Sequence, residues 1–241
     1  MRNLKKNGIV KGKIVGKETI NEKVYAHVVS TLGKILIEEN ELHDYEGVRD
    51  RVGLLLGADI EVKVDDNFNE ELNAYMGSRK EANKILSKQL EEMSAGSEIT
   101  ATVIIVTRTD VKVNICGHDI TIKAKDLKIG WVEDLREKIK VGQEIRAKLI
   151  SKTPFLEIEV INRQKKFDAD KYKIGSEYVG KIIGTPAFGI IVEIEEERQV
   201  LCHRVEWSDE PKIGEYVVIQ ISNIKADEAK TYGYVRRRIR R

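Results

Sequence analysis

Phe188 and His203 stand on what read as neighbouring strands near the end of the sequence, and the densest positive charge follows them in Tyr232-Gly-Tyr-Val-Arg-Arg-Arg-Ile-Arg-Arg241. A flat ring, an imidazole and a group of guanidiniums have one chemistry in common. Rings stack on nucleobases, at roughly 1 to 3 kcal/mol per base and with little sequence preference, because every base has a π face. A protonated imidazole donates to phosphate, and a guanidinium offers phosphate a planar fork as well as a stacking surface. Each residue also has a plainer role. A strand Phe is more often core than not, but Ile190, Val192 and Ile194 already supply an inward face, which leaves Phe188 outside it. A terminal Arg run is often a solvated tail, yet this one emerges from the last strand beside Phe188 and His203.

Other chemistries find too few residues. Structural zinc needs four ligands, and Cys116-Gly-His118 and Cys202-His203 draw on only two Cys and four scattered His. No Ser-His-Asp order, phosphate-binding Gly loop or HExxH motif occurs, so neither an enzyme nor a cofactor is expected. Lys plus Arg number 42 against 40 for Asp plus Glu, a net charge of +2, so any polyanion site has to be local rather than a property of the whole surface. The N-terminus carries no signal-like apolar run, and no stretch nears the length of a membrane span, which predicts a cytoplasmic protein with no membrane partner. Two widely spaced cysteines do not suggest a disulfide framework.

The elements that would position these residues repeat. Gly8-Ile-Val-Lys-Gly-Lys-Ile-Val15, Gly96-Ser-Glu-Ile-Thr-Ala-Thr-Val103 and Gly175-Ser-Glu-Tyr-Val-Gly-Lys-Ile182 open three segments. A second Gly-led strand follows in each: Gly57-Ala-Asp-Ile-Glu-Val-Lys-Val64, Gly142-Gln-Glu-Ile-Arg-Ala-Lys-Leu149 and Gly214-Glu-Tyr-Val-Val-Ile-Gln-Ile221. Between them lie two more strands, as in Val111 to Ile115 and Asp119 to Ile122 joined by a Cys-Gly-His turn that suits a hairpin. A fifth strand completes each set. The chain therefore predicts an all-β protein with short helices: three tandem five-stranded OB-type Greek-key barrels joined by a helix and a short linker. A helix over Trp131 to Ile139, with Val132, Leu135 and Ile139 on one face, plugs the second barrel. Strong helix formers from Ser78 to Met93 give the connecting helix. The expected division is a first barrel over 1–77, a linking helix over 78–93, a second barrel over 94–164, a linker over 165–173 and a third barrel over 174–241.

In the third segment Pro186-Ala-Phe-Gly-Ile-Ile-Val-Glu-Ile194, Val200-Leu-Cys-His-Arg-Val-Glu-Trp207 and Gly214-Glu-Tyr-Val217 follow in order. This resembles the S-one type RNA-binding domain of ribosomal proteins, with its Phe-Gly-x-Phe-Val, Leu-Val-His-x-Ser-Glu-Leu and Val-Gly-x-x-Val strands. The first two segments match that pattern weakly. The resemblance implies a barrel whose second and third strands face single-stranded RNA. It makes Phe188 the first aromatic, Ile191 the occupant of the second aromatic position and His203 the family histidine. Thr231 falls where the family has an Arg, and Arg236, Arg237 and Arg238 just beyond can replace it.

Tyr178, Lys181, Arg204 and Tyr234 complete the candidate set of the third barrel. Tyr178 could equally cap the barrel rim. In the second segment the matching positions are Thr109, Lys112 and Lys123, which can touch phosphate but not stack. In the first, Tyr25 and His27 point outward if Val24, Ala26 and Val28 point inward, and Glu38, in place of the family histidine, would repel phosphate. The expected function is non-catalytic binding of single-stranded RNA, with single-stranded DNA and ribosomal or other protein partners left open. The alternative is a protein-interaction adaptor or RNA-machinery accessory with residual nucleic-acid binding.

Overall fold

The computed structural model describes residues 8–161, 171–195, 198–203, 211–226 and 230–239. Arg204, Trp207 and the last two arginines lie outside the described residues. The chain divides into two compact units, Met1–Asp126 with Asp134–Ile161, and Leu127–Glu133 with Asn162–Arg241. It is mostly β-structure with a few short helices. Among the described residues no helix is long and apolar enough to cross a membrane.

In the first unit, alternating apolar and polar residues build β1 (Ile9–Ile20), β2 (Lys23–Ser30) and β3 (Gly33–Glu38). A 3-10 turn at Glu39–Glu41 and the short helix α1 (Arg51–Leu54) lead to β4 (Asp59–Asn69) and β5 (Ala74–Ser78). The strands close into a barrel in the order β1-β2-β3-β5-β4, with β5 returning parallel to β3. Ile14, Val28, Ile35, Ile37, Ile60 and Val62 fill its interior, and Leu42, Val52 and Leu55 from the β3–β4 connection plug it. Helix α2 (Arg79–Glu92) follows where the helix formers predict it; the Ser78 hydroxyl caps it by accepting from the Glu81 amide at 3.1 Å.

The second set comprises β6 (Glu98–Val106), β7 (Asp110–Ile115), β8 (His118–Lys123), α3 (Leu135–Lys138), β9 (Glu144–Ser151) and β10 (Glu157–Val160). Its β7–β8 hairpin turns through Cys116 and Gly117, both at positive φ (44° and 84°), as a two-residue turn requires. Here the expectation of a third closed barrel is corrected: the strands form a five-stranded sheet in the order β10-β9-β6-β7-β8. Closure in the first repeat depends on a fifth strand that returns parallel to the third, whereas the four-residue β10 pairs with β9. The helix expected from Trp131 to Ile139 is also shorter, because Asp134 caps α3, accepting from the Arg136 amide at 3.0 Å, and the residues before Asp134 belong to the other unit.

A buried ion pair joins the first two repeats. The Arg79 side chain, 1% exposed, donates from Nη1 to Asp119 Oδ2 (2.9 Å) and to the Leu42 carbonyl (3.1 Å), and from Nη2 to Asp119 Oδ1 (2.7 Å). The Tyr45 hydroxyl and the Asn114 amide also donate to Asp119, each at 2.6 Å. Ile104 of β6 belongs to the apolar core of the first barrel. Burial works to raise the Asp119 pKa, but the charge and hydrogen bonds of Arg79, then those of Tyr45 and Asn114, outweigh it and hold the carboxyl below its ordinary 3.8.

In the second unit, β11 (Glu177–Gly184), β12 (Ile190–Glu195), β13 (Arg198–His203), β14 (Tyr216–Lys225) and β15 (Lys230–Arg238) close into a barrel in the order β11-β12-β13-β15-β14, again with the fifth strand parallel to the third. Ile182, Ile190, Val192, Val200, Cys202, Val217 and Ile219 form its interior.

Removing one partner of the buried pair leaves the other charged and unpaired, at a typical cost of about 3 to 5 kcal/mol. Asp119→Leu is therefore expected to lower the melting temperature of the first unit sharply, and Arg79→Leu with Asp119→Leu to lower it less than either single change; calorimetry of the three variants checks the order. Because folded Asp119 titrates below its unfolded value, the unfolded chain takes up the proton first, so this part of the stability is lost as pH falls below about 4.

Candidate nucleic-acid interface

Alternation along β12 and β13 turns Ile190, Val192, Val200 and Cys202 into the third barrel and leaves Ile191, Leu201 and His203 on its outer face. On the parallel neighbour β15, His203 pairs with Tyr234. The two rings stack with centroids 5.4 Å apart and planes 24° from parallel. Tyr234 is 45% exposed, and Phe188, in the loop that enters β12, is 65% exposed. That loop lies close against β13: a methyl group placed on Gly189 would fall 2.6 Å from the Cys202 carbonyl oxygen, next to His203. Arg236 and Arg237 are exposed on β15; Arg236 hydrogen bonds to the Gln220 amide oxygen, and Arg238 lies half-buried with its Nε 3.7 Å from Glu215. Lys181 is exposed on β11, opposite Glu193. Thr231, in the position where the family has an arginine, is buried.

Other candidates are placed where they present little to a ligand. Ile191, only 5% exposed, is covered rather than offered. Its cross-strand partner Gly184 carries the benzo edge of Trp131. Tyr178 packs against the barrel interior, edge-on to Tyr172 at 5.2 Å, and its hydroxyl accepts from the Lys173 amide at 3.1 Å, so it caps the barrel. Lys112 of the second repeat has its ammonium 4.4 Å from the ring centre of Tyr45, which in turn stacks on His43 at 4.0 Å. With Tyr45 and Arg79 both bound to Asp119, the outer side of β7 and β8 is occupied by residues of the first repeat. Lys123 remains exposed on β8.

In the first barrel Tyr25, 8% exposed, lies under a small apolar cluster with Leu36 and Ala74, against which Ile20, Leu72 and Met76 pack. His27 Nδ1 sits 2.8 Å from Glu18, which also accepts from Lys34 at 2.8 Å. The Lys34 hydrogen bond is the chief cause that holds the Glu18 carboxyl below its ordinary value, with burial opposing it. Glu38 is paired with Lys23 at 3.3 Å.

Sequence reasoning missed Tyr45, Trp131 and Gln199. Tyr45 and Trp131 share a signal: each follows a 3-10 turn, at Glu39–Glu41 and Ala124–Asp126, in the connection between the third and fourth strands of its repeat. Gln199 carries no such signal, being one polar residue among several on an alternating strand.

These placements can be set beside known proteins. No family model matches the chain. The small ribosomal subunit protein bS1 of Neisseria meningitidis serogroup B is 26% identical over 216 residues, a match covering 84% of this chain and 36% of that protein. This weak similarity is consistent with the S-one type OB-fold resemblance, and the first and third repeats close as five-stranded barrels of OB-type strand order. The chain spans about a third of the length of this curated relative. Among solved structures, a multidomain protein with nucleic acid binding domains from Streptococcus pneumoniae is 12% identical, covering 95% of this chain and 73% of the other at a TM-score of 0.24. A Drosophila Unr fragment, CSD456, is 11% identical, covering 95% and 96% at a TM-score of 0.22.

Cys202 and His203 are adjacent in sequence, yet the third barrel turns the first inward and the second outward, so they cannot share an ion. Burial pushes the Cys202 thiol up to about 12. At pH 8 iodoacetamide should therefore leave Cys202 unmodified in the folded protein and label it after unfolding in guanidinium, as read by peptide mass spectrometry; rapid native labelling would contradict its place inside the barrel.

Proposed function

We propose that the chain binds single-stranded RNA, without catalysing a reaction, on the outer face of the third barrel. The observation that carries this reading is the exposed ring pair of His203 and Tyr234, with an exposed Phe188 in the loop whose Gly189 lies against Cys202 and with arginines further along the strand of Tyr234. Phe188, His203 and Tyr234 supply flat surfaces for bases, while Lys181, Arg236, Arg237 and Arg238 answer the phosphates. The net charge is near zero, so this local cluster rather than the global field supplies the attraction. The relative is a component of the small ribosomal subunit, which favours RNA over DNA and a cytoplasmic setting in translation.

The first two repeats fit a different part. Their corresponding outer surfaces are occupied by the chain's own residues, Tyr25 with Leu36 in one and Tyr45 with Arg79 in the other, which favours a supporting or protein-contacting role for that unit. A protein adaptor that uses no RNA is the competing reading, and RNA titration separates the two.

Labelled single-stranded RNA titrated with wild type should bind more weakly as salt rises, with a slope of about −0.7 per phosphate neutralised. Phe188→Ala with His203→Ala should lose about tenfold to a hundredfold in affinity, the equivalent of one or two stacked bases. Replacing Arg236, Arg237 and Arg238 by Ala should flatten the salt slope. DNA of the same sequence, run in parallel, tests the RNA preference. A double variant that binds as wild type does would end the site assignment and leave the adaptor reading standing.

A further inference from the structure

The S-one pattern calls for a second aromatic on the strand where this chain has Ile191, and that isoleucine is buried. What covers its neighbourhood is a ring from elsewhere in the sequence. Residues Leu127–Glu133 belong to the compact unit of the third barrel, although they lie between β8 and α3 in the chain. Gln199 of β13 holds this segment with both ends of its side-chain amide: the Trp131 amide donates to Gln199 Oε1 at 2.6 Å, and Gln199 Nε2 donates to the Trp131 carbonyl at 2.9 Å.

Gly130 is fitted to the same contact. It adopts a φ of 76°, and a Cβ there would lie 2.9 Å from Gln199 Oε1. Gly184 is fitted to the ring: a Cβ there would fall 2.0 Å from Trp131 Cη2. The indole therefore rests on bare backbone of β11, beside Ile191 on the face that carries Leu201 and His203. It is only partly buried, so some of its surface still meets solvent.

From this geometry we infer that Trp131 supplies the missing second stacking platform of the third-barrel site, delivered by the connection of the preceding repeat and clamped by Gln199. This rests on the reading of that face as the RNA site. Gln199 is a positioning residue; Trp131 is the group that touches a base. Because the backbone on both sides of the indole is already fixed, stacking a base on it requires little further ordering of the protein, and an indole offers a larger π surface than the Ile191 side chain beneath it.

The test uses full-length protein and a short oligouridylate. The chain has two tryptophans, so Trp207→Phe leaves Trp131 as the single indole fluorophore. The oligonucleotide should quench its emission saturably, with the same midpoint as binding measured by anisotropy of the labelled strand. Trp131→Ala should weaken binding about tenfold, Trp131→Phe should restore most of it, and Gln199→Ala, which keeps the ring but releases its backbone, should weaken it about threefold. Trp131→Ala binding as tightly as wild type, or more tightly, would overturn the inference; tighter binding would mean that the segment screens the face. Phe188→Ala with His203→Ala in the same titration keeps the two claims apart. If that pair loses affinity while the Trp131 variants do not, only the inference falls; if the pair binds normally, the site reading itself has failed.

Discussion

A strand turns alternate side chains to opposite sides, and a barrel closed by five short strands has room inside for apolar side chains alone. Everything the repeat can do for a ligand must then be done by the outward set, and in the third barrel His203 of the third strand and Tyr234 of the fifth stand opposite each other on adjoining strands. What covers that outer surface differs from repeat to repeat. In the first barrel the β4–β5 hairpin folds over it and seals Tyr25 and Leu36. In the second repeat Tyr45 and Arg79 lie against it. In the third, Trp131 takes one part while Phe188, His203 and Tyr234 stay open.

The buried Arg79–Asp119 pair is the counterpart of that difference. A guanidinium taken out of water is tolerated only when its hydrogen bonds are met, and here Asp119 and the Leu42 carbonyl accept from it while Tyr45 and Asn114 satisfy the remaining carboxylate positions. The arrangement uses up Asn114 and Asp119, polar residues on the outer side of β7 and β8, and it brings Tyr45 beneath the Lys112 ammonium. This outer surface has become an internal joint between two repeats.

Much of this was legible in the sequence where local pattern decides structure. The Gly-led alternating strands, the Cys116-Gly117 turn, the helix capped by Ser78 and the inward set of the third barrel follow from period and turn chemistry alone. The S-one resemblance placed Phe188 and His203 in a common frame, and the strand order of the third barrel has that topology. What the sequence did not disclose were effects of distance. Nothing near Tyr25 tells that Leu72 will cover it, nothing near Lys112 names Tyr45, and Trp131 sits in a stretch whose periodicity reads as helix although its backbone pairs with Gln199. The second repeat fails to close for a similar reason, since the length of β10 and its pairing partner are set by the tertiary structure rather than by the alternation of Glu157–Val160.

Unpaired RNA is proposed to meet this chain on one outer face of one barrel. Ultraviolet crosslinking of uridine-containing single-stranded RNA to the full-length protein, followed by mass spectrometry of the crosslinked peptides, tests it most directly. Adducts are expected on peptides that contain Phe188, His203 or Tyr234 and none on the strands that bear Tyr25 or Lys112. Adducts concentrated on the first unit, with the third barrel unmarked, would contradict it.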